Sequence, residues 1–159
     1  MVSYGCSIGT QTCRQVGNRY YKLDTRGYES IAEVVADELL NCIKGLEHVP
    51  YYLERVKVNG VIKDACYSES IISNSETLIS IYDLLDDEDG YFWYSYGEKS
   101  PDERVRMIVE GILKSTGISS LSMLSNIVKF DYIIRNEDRH FNNISVIKSK
   151  RGVQVFPSI

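Results

Sequence analysis

The chain has 159 residues, of which 43% are hydrophobic and 25% charged, with a formal net charge of −4 and a pI near 5.2. This is the profile of a soluble globular protein, either one domain with a proper core or one and a half small ones. It argues against a general nucleic-acid or acidic-membrane binder, and no apolar run approaches the length of a membrane span.

The N-terminus, Met1-Val2-Ser3-Tyr4-Gly5-Cys6, lacks the basic-then-apolar pattern of a signal peptide. The four cysteines, Cys6, Cys13, Cys42 and Cys66, form no Cys-x-x-Cys pair, so reduced thiols in a cytoplasmic protein are expected, with neither a disulfide framework nor a zinc site. Twelve tyrosines cluster in strand-like segments, where they serve packing and strand formation.

In chain order, Ser3–Ile8 suits a short strand. A loop over residues 9–18 follows, with Gly9, Gly17 and several hydroxyl and amide side chains, and then a strand, Arg19–Leu23. Such a loop is either an ordinary hairpin connection or one that drapes backbone N–H groups over a phosphate. Lys22 lies within the second strand. A lysine aimed inward from a sheet needs an anion. The periodicity of Ser30–Lys44 predicts an amphipathic helix whose buried stripe is Ile31, Val34, Val35, Leu39, Cys42 and Ile43, with Gly45 as its stop. Glu33 and Glu29 are both placed to reach a lysine on a neighbouring strand, or merely to decorate a helix N-terminus.

Tyr51–Val58 and Val61–Tyr67 flank Asn59-Gly60, a strong hairpin signal. The segment 78–85 is apolar and of ambiguous type. An acidic run, 86–89, and an aromatic run, 91–96, then read as a solvated loop anchored to a domain surface by its rings. The domain boundary is expected here, with 1–85 as the first domain, 86–100 as a linker and 101–159 as the second. Ser100-Pro101-Asp102-Glu103 combines a capping box with proline at the first helical position, opening a helix to Lys114 that buries Val105, Ile108, Val109 and Ile112. A second helix, 119–134, carries Leu121, Leu124, Ile127, Val128, Ile133 and Ile134. It delivers the chain into a polar knot, Asn136-Glu137-Asp138-Arg139-His140-Phe141-Asn142-Asn143, followed by a hairpin of 144–148 and 153–156.

Such a knot is costly beside a core unless its groups find partners. Asp138 and Asn143 have the Asp-x-x-x-x-Asn spacing of a protein-kinase catalytic loop. The aspartate accepts a proton from a substrate hydroxyl while the asparagine returns from the far side of the loop to bind Mg²⁺. Asp138–Arg139 also suits a structural ion pair, and His140 a packed histidine. A metal-dependent hydrolase built on Asp138, His140 and Asn143 is much the weaker reading, because the only other histidine is His48.

The stretch from Phe130 to Asn143, with its Asn-x-Asp-Arg-His-x-x-Asn core, resembles the catalytic loop of HipA-like serine/threonine kinases, and within them the short, stand-alone forms. Upstream, Ser7–Gln11 resembles their phosphate-facing loop, with Cys13 where a lysine is often found. Tyr20–Leu23 resembles their nucleotide-lysine strand, and Ile31–Ala36 the helix that follows. The segment 65–70 sits where their interlobe hinge lies. The resemblance implies an α+β, kinase-like bilobal fold: a small antiparallel-sheet N-lobe with one helix, plus the first part of a mainly helical C-lobe. It implies ATP and Mg²⁺ as cofactors. Asp138 would be the catalytic base and Asn143 a metal ligand. Gly9, Thr10, Gln11 and Lys22 would bind nucleotide, with Glu33 orienting Lys22 and Glu29 its rival for that role. It implies a protein substrate with a Ser/Thr hydroxyl, leaves room for an antitoxin-like partner, and implies neither nucleic-acid nor membrane binding. In that family an Asp binding the second metal position follows the hairpin. Here its counterpart would fall just beyond Ile159, and no acidic residue lies between Asn143 and Ile159. The expectation is therefore a truncated kinase, inactive or weakly active, with an exposed apolar surface. The alternative is a non-catalytic module, a pseudokinase or fragment that holds nucleotide or a partner.

Overall fold

The computed structural model describes residues 13–44, 46–73, 75–86, 89–137, 139–149 and 152–157. The chain divides into two compact units, whose described parts fall within 13–73 with Pro157, and within 75–156.

The first unit is a four-stranded antiparallel sheet carrying one helix, in the strand order β1-β2-β4-β3. Strands β1 (Cys13–Val16) and β2 (Arg19–Leu23) pair with Val16 opposite Arg19. The connection expected over 9–18 is therefore shorter where it is described. It is the two-residue turn Gly17-Asn18, with Gly17 at φ 62°, and residues 13–16 extend into strand. Residues 9–12 and the expected strand 3–8 lie outside the described residues. β3 (Tyr52–Val58) and β4 (Val61–Glu69) form the hairpin that Asn59-Gly60 predicts. Both turn residues have positive φ, 51° and 85°, matching the right-handed twist of the strands.

Helix α1 (Glu29–Leu40) is shorter than expected and turned on its axis. Its fully buried residues are Ser30, Ala36, Asp37 and Leu40, whereas Ile31, Val35 and Leu39 of the expected stripe are exposed. The apolar stripe loses because the polar residues on the other face have partners: Lys22 for Glu33, and His48 and the Tyr51 amide for Asp37. Partners of this kind are what a buried polar side chain needs.

The second unit begins with β5 (Thr77–Ser80), which pairs antiparallel with β6 (Ile144–Ser149), Ser80 opposite Ser145. With β7 (Gly152–Pro157) they form a three-stranded sheet in the order β5-β6-β7. That pairing places 75–85 in the second unit, ahead of the boundary expected at 86–100. α2 (Ile81–Leu85) starts at Ser80, whose Oγ accepts from the Asp83 amide. The aromatic run expected to be a loop anchor is a helix, α3 (Tyr91–Gly97). α4 (Pro101–Thr116) carries the expected capping box and ends at Gly117, φ 75°. It buries Ile108 and Ile112, while Val105 is exposed. A Cβ on Gly111 would stand 2.7 Å from Leu85 Cδ2, so a larger residue there would make the Leu85 side chain shift. α5 (Leu121–Ile134) buries Ile127, Phe130 and Asp131.

Among the described cysteines Cys42 and Cys66 are free thiols, but Cys13 is disulfide-bonded, contrary to the expectation of four reduced thiols. Among the described residues no helix is long and apolar enough to cross a membrane.

Candidate functional site

In the first unit the site is built on Lys22. Alternation along β2 puts Lys22 on the sheet face that α1 covers, opposite Cys66 of β4. Glu33, one turn into α1, reaches it: Lys22 Nζ donates to Glu33 Oε1 at 2.8 Å, with both side chains largely buried at 12% and 17% exposure. The ammonium also lies 4.6 Å from the centre of the Tyr51 ring. Burial works against the charge, but Tyr51 and Glu33 overcome it and hold the Lys22 pKa above its ordinary value. Cys66 is fully buried beside this pair, and burial, reinforced by Glu33, pushes its thiol up to about 11.

Glu29, the other candidate for Lys22, is used locally. Its Oε2 accepts from the Thr25 amide and hydroxyl, each at 2.7 Å, and from the Arg26 amide at 3.1 Å. The carboxylate thus folds back over the turn that precedes α1. Gly9, Thr10 and Gln11 lie outside the described residues.

In the second unit the polar knot is organised by a residue that sequence reasoning passed over. Asp131 sits on the buried face of α5. Arg139 meets it as a fork, Nε to Oδ2 and Nη2 to Oδ1, both at 2.9 Å. Asn136 Nδ2 donates to Oδ1 at 2.9 Å, and the Asn136 amide donates to the Asp131 carbonyl at 2.8 Å. The helix closes at Arg135 in the left-handed region, φ 54°, which turns the chain back over Asp131. Arg139 is thus committed to Asp131. The signal was present as the only carboxylate of the helix, eight residues before an arginine.

Asn143 ends a 3-10 turn, Phe141–Asn143. Its amide donates to the His140 carbonyl at 2.9 Å and its carbonyl accepts from Arg139 Nη1 at 3.3 Å. The Asn143 backbone is thus pinned to the loop by Arg139. Beside it, Ser80 Oγ lies 3.4 Å from Asn142 Oδ1. Phe141 packs against Trp93 and Tyr96 of α3, at 5.3 and 5.9 Å between ring centres. The imidazole of His140 is half-buried, and its Nδ1 makes no hydrogen bond among the described residues. Asp138 lies outside the described residues.

No protein-family model and no curated protein matches the chain. Among solved structures, the crystal structure of a Helicobacter pylori proinflammatory kinase, CtkA, is similar over 98% of this chain, with a TM-score of 0.67 at 17% sequence identity. The chain has a kinase-like fold. It spans 54% of that kinase's length. The α+β architecture expected from the sequence, an antiparallel-sheet unit followed by a helical one, is the one observed.

Within this fold the two units carry different chemistry. The first holds a buried, positively charged lysine clamped by a carboxylate. The second holds a loop whose backbone is fixed by a buried arginine–aspartate fork and which ends in an asparagine. Its side-chain amide oxygen is a hard donor of the kind Mg²⁺ takes. Among the described residues no three His, Cys, Asp or Glu side chains group as a metal site.

Proposed function

We propose that the chain belongs to an ATP-dependent serine/threonine protein kinase of HipA-like type, transferring a phosphoryl group to a protein Ser or Thr hydroxyl. The observation that carries this reading is the Lys22–Glu33 pair at 2.8 Å, strand to helix, within a kinase-like fold. Burying an ion pair is costly, and it gives little stability over well-packed apolar side chains. It is well suited to hold an ammonium charged and aimed at a phosphate.

In this reading Lys22 holds the ATP phosphates and Glu33 orients it, with Gly9, Thr10 and Gln11 on the phosphate-facing loop. Asp138 takes the proton of the attacking hydroxyl, and Asn143 holds Mg²⁺, which neutralises charge on the transferring group. Arg139 and Asp131 keep the loop that carries both. Phosphoryl transfer asks positioning and charge neutralisation of the protein, and these residue types supply both.

The test is nucleotide binding and phosphotransfer from labelled ATP with Mg²⁺, using the 159-residue chain and a version extended at its C-terminus. Lys22→Met is expected to weaken ATP binding at least tenfold, roughly the cost of one charge-assisted contact. Asp138→Asn is expected to leave binding intact and remove transfer. ATP binding without transfer in the extended protein favours a non-catalytic nucleotide-binding module.

A further inference from the structure

The sequence has four cysteines, and two of them, Cys42 and Cys66, are free thiols. Cys13 is disulfide-bonded. A disulfide takes two cysteines, so within one chain the count leaves Cys6, which lies outside the described residues, as its partner. Cys66 is fully buried, and burial above all pushes its thiol up to about 11, which keeps it out of thiol exchange.

Cys13 sits beside the Lys22 site. It opens β1, and its register partner on β2 is Lys22. Lys22 is in turn opposite Cys66 of β4. Directly opposite residues of an antiparallel pair project from the same face, with Cβ atoms about 4.5–5.5 Å apart. Cys13 therefore stands next to Lys22 on the face that carries the Lys22–Glu33 pair. β1 is also an edge strand, held by β2 alone. A bond from Cys6 to Cys13 encloses Gly9, Thr10 and Gln11, the residues proposed above for the phosphate-facing loop. Stabilisation through chain entropy grows with the length of chain that a disulfide closes. A closure as short as this one adds little to global stability and acts on the segment it encloses.

We propose that Cys6 and Cys13 form a reversible disulfide that closes the phosphate-facing loop beside Lys22 and raises the affinity of that site for ATP. The inference deepens the nucleotide reading above and rests on it for its ligand. A loop that is already closed has less freedom to lose when the nucleotide binds. The bond opens by exchange with a small thiol of the glutathione class. One thiolate attacks a sulfur of the pair, which breaks the Cys6–Cys13 bond and forms a mixed disulfide, and a second thiolate then displaces the remaining cysteine. Both cysteines leave as thiolates and take up the protons given up by the two small thiols, which end as their own disulfide. The protein sulfurs gain the two electrons that the small thiols lose. Closure is the reverse, with the small disulfide as oxidant.

The test uses the 159-residue chain, oxidised with glutathione disulfide or reduced with dithiothreitol, and the variants Cys6→Ser and Cys13→Ser treated alike. Free thiols are alkylated in denaturant before tryptic digestion. No Lys or Arg precedes Arg14, so both cysteines fall in the peptide 1–14. In the oxidised chain this peptide is expected to be unalkylated and lighter by two hydrogens than its reduced, unlabelled form. A peptide that takes up alkyl groups or glutathione instead overturns the pairing. Affinity for a fluorescent ATP analogue with Mg²⁺ is expected to fall about three- to tenfold on reduction of the wild type, the scale of a lost loop preorganisation. Each serine variant is expected to bind as the reduced wild type does under both conditions. Equal affinity of the two wild-type forms, with the bond present in one, overturns the coupling to nucleotide, and so does an equal fall in the serine variants. If neither form binds nucleotide, hydrogen exchange over residues 13–23 decides. Protection lost on reduction in the wild type alone supports the closure and overturns the nucleotide reading of Lys22, and unchanged protection overturns both.

Discussion

Asp131 is the only carboxylate of α5, and Arg139 meets it with two nitrogens at once. Both side chains are largely buried, at 9% and 13% exposure, so neither charge has water to fall back on. Removing one partner leaves the other buried and unpaired. Arg139→Ala is therefore expected to destabilise the protein by about 3–5 kcal/mol, the cost typical of breaking a buried pair. Arg139→Lys keeps the charge but loses the fork, and is expected to fall between that variant and the wild type. Urea denaturation with an unchanged m-value checks both. A loss under about 1 kcal/mol for Arg139→Ala, the range of an exposed ion pair, would falsify a structural role for the fork. Residues of this kind show how far the sequence can be read. The Asp138–Asn143 spacing stands out in the sequence as a motif, and it supports the proposal made above. Asp131 was not legible, because a helix pattern is read by its apolar members and a single buried acid looks like noise until its arginine is in place.

Among the elements, α3 and α1 were the least legible, for different reasons. The aromatic run 91–96 has strand propensity, yet it is helical, with Phe92, Trp93 and Tyr96 in a ring cluster and Tyr91 and Tyr94 exposed. Trp93 stacks on Tyr82 at 4.7 Å and 6°, meets Phe92 and Tyr96 edge-on, leans on Phe141 and donates its indole N–H to the Tyr82 carbonyl at 3.2 Å. Arg104 of α4 fastens the end of α3, donating to the Tyr96 and Gly97 carbonyls at 3.1 and 2.7 Å. Trp93 thus ties α2, α3 and the 3-10 turn of the polar knot together. Trp93→Ala is expected to cost about 3 kcal/mol, the low end for an aromatic truncation because the ring is only half-buried. Trp93→Phe is expected to recover most of it, and thermal unfolding followed by far-UV circular dichroism measures both. If Phe recovers nothing, the indole hydrogen bond outweighs the ring packing. In α1 the opposite happened: an apolar stripe at helical spacing is exposed, because Glu33 and Asp37 on another face have buried partners that periodicity cannot see. The β3–β4 hairpin and the α4 capping box, by contrast, are written in local chemistry and came through as read.

At the scale of the molecule, the titratable groups of the first unit are biased in one direction. The thiol of Cys66 is raised from 9.0 to about 11, chiefly by burial. Tyr51 is raised above its ordinary 10.0, again chiefly by burial. Lys22 is raised above 10.5, because Tyr51 and Glu33 outweigh the burial that opposes its charge. All three hold their protons more tightly folded than unfolded. As pH rises past each unfolded value, the unfolded chain binds fewer protons than the native one, so stability falls. The stability these groups contribute is thus fully present below pH 9.0, begins to fail as Cys66 ionises in the unfolded chain, and fails further past 10.0 and 10.5 as Tyr51 and Lys22 follow. All three lie in the 13–73 unit and converge on one buried face, so the loss is expected to strike the Lys22 site itself. The urea midpoint is expected to drop between pH 8.5 and 10.5 in the wild type. Cys66→Ala removes the earliest of the three groups, and is expected to give a lower midpoint at pH 8.5, from the lost packing, but a shallower fall above it. The slope is the discriminating quantity, because a cavity changes the midpoint alike at every pH while a missing titration changes its slope. Parallel curves for the two proteins would mean that the thiol is not held up by the fold.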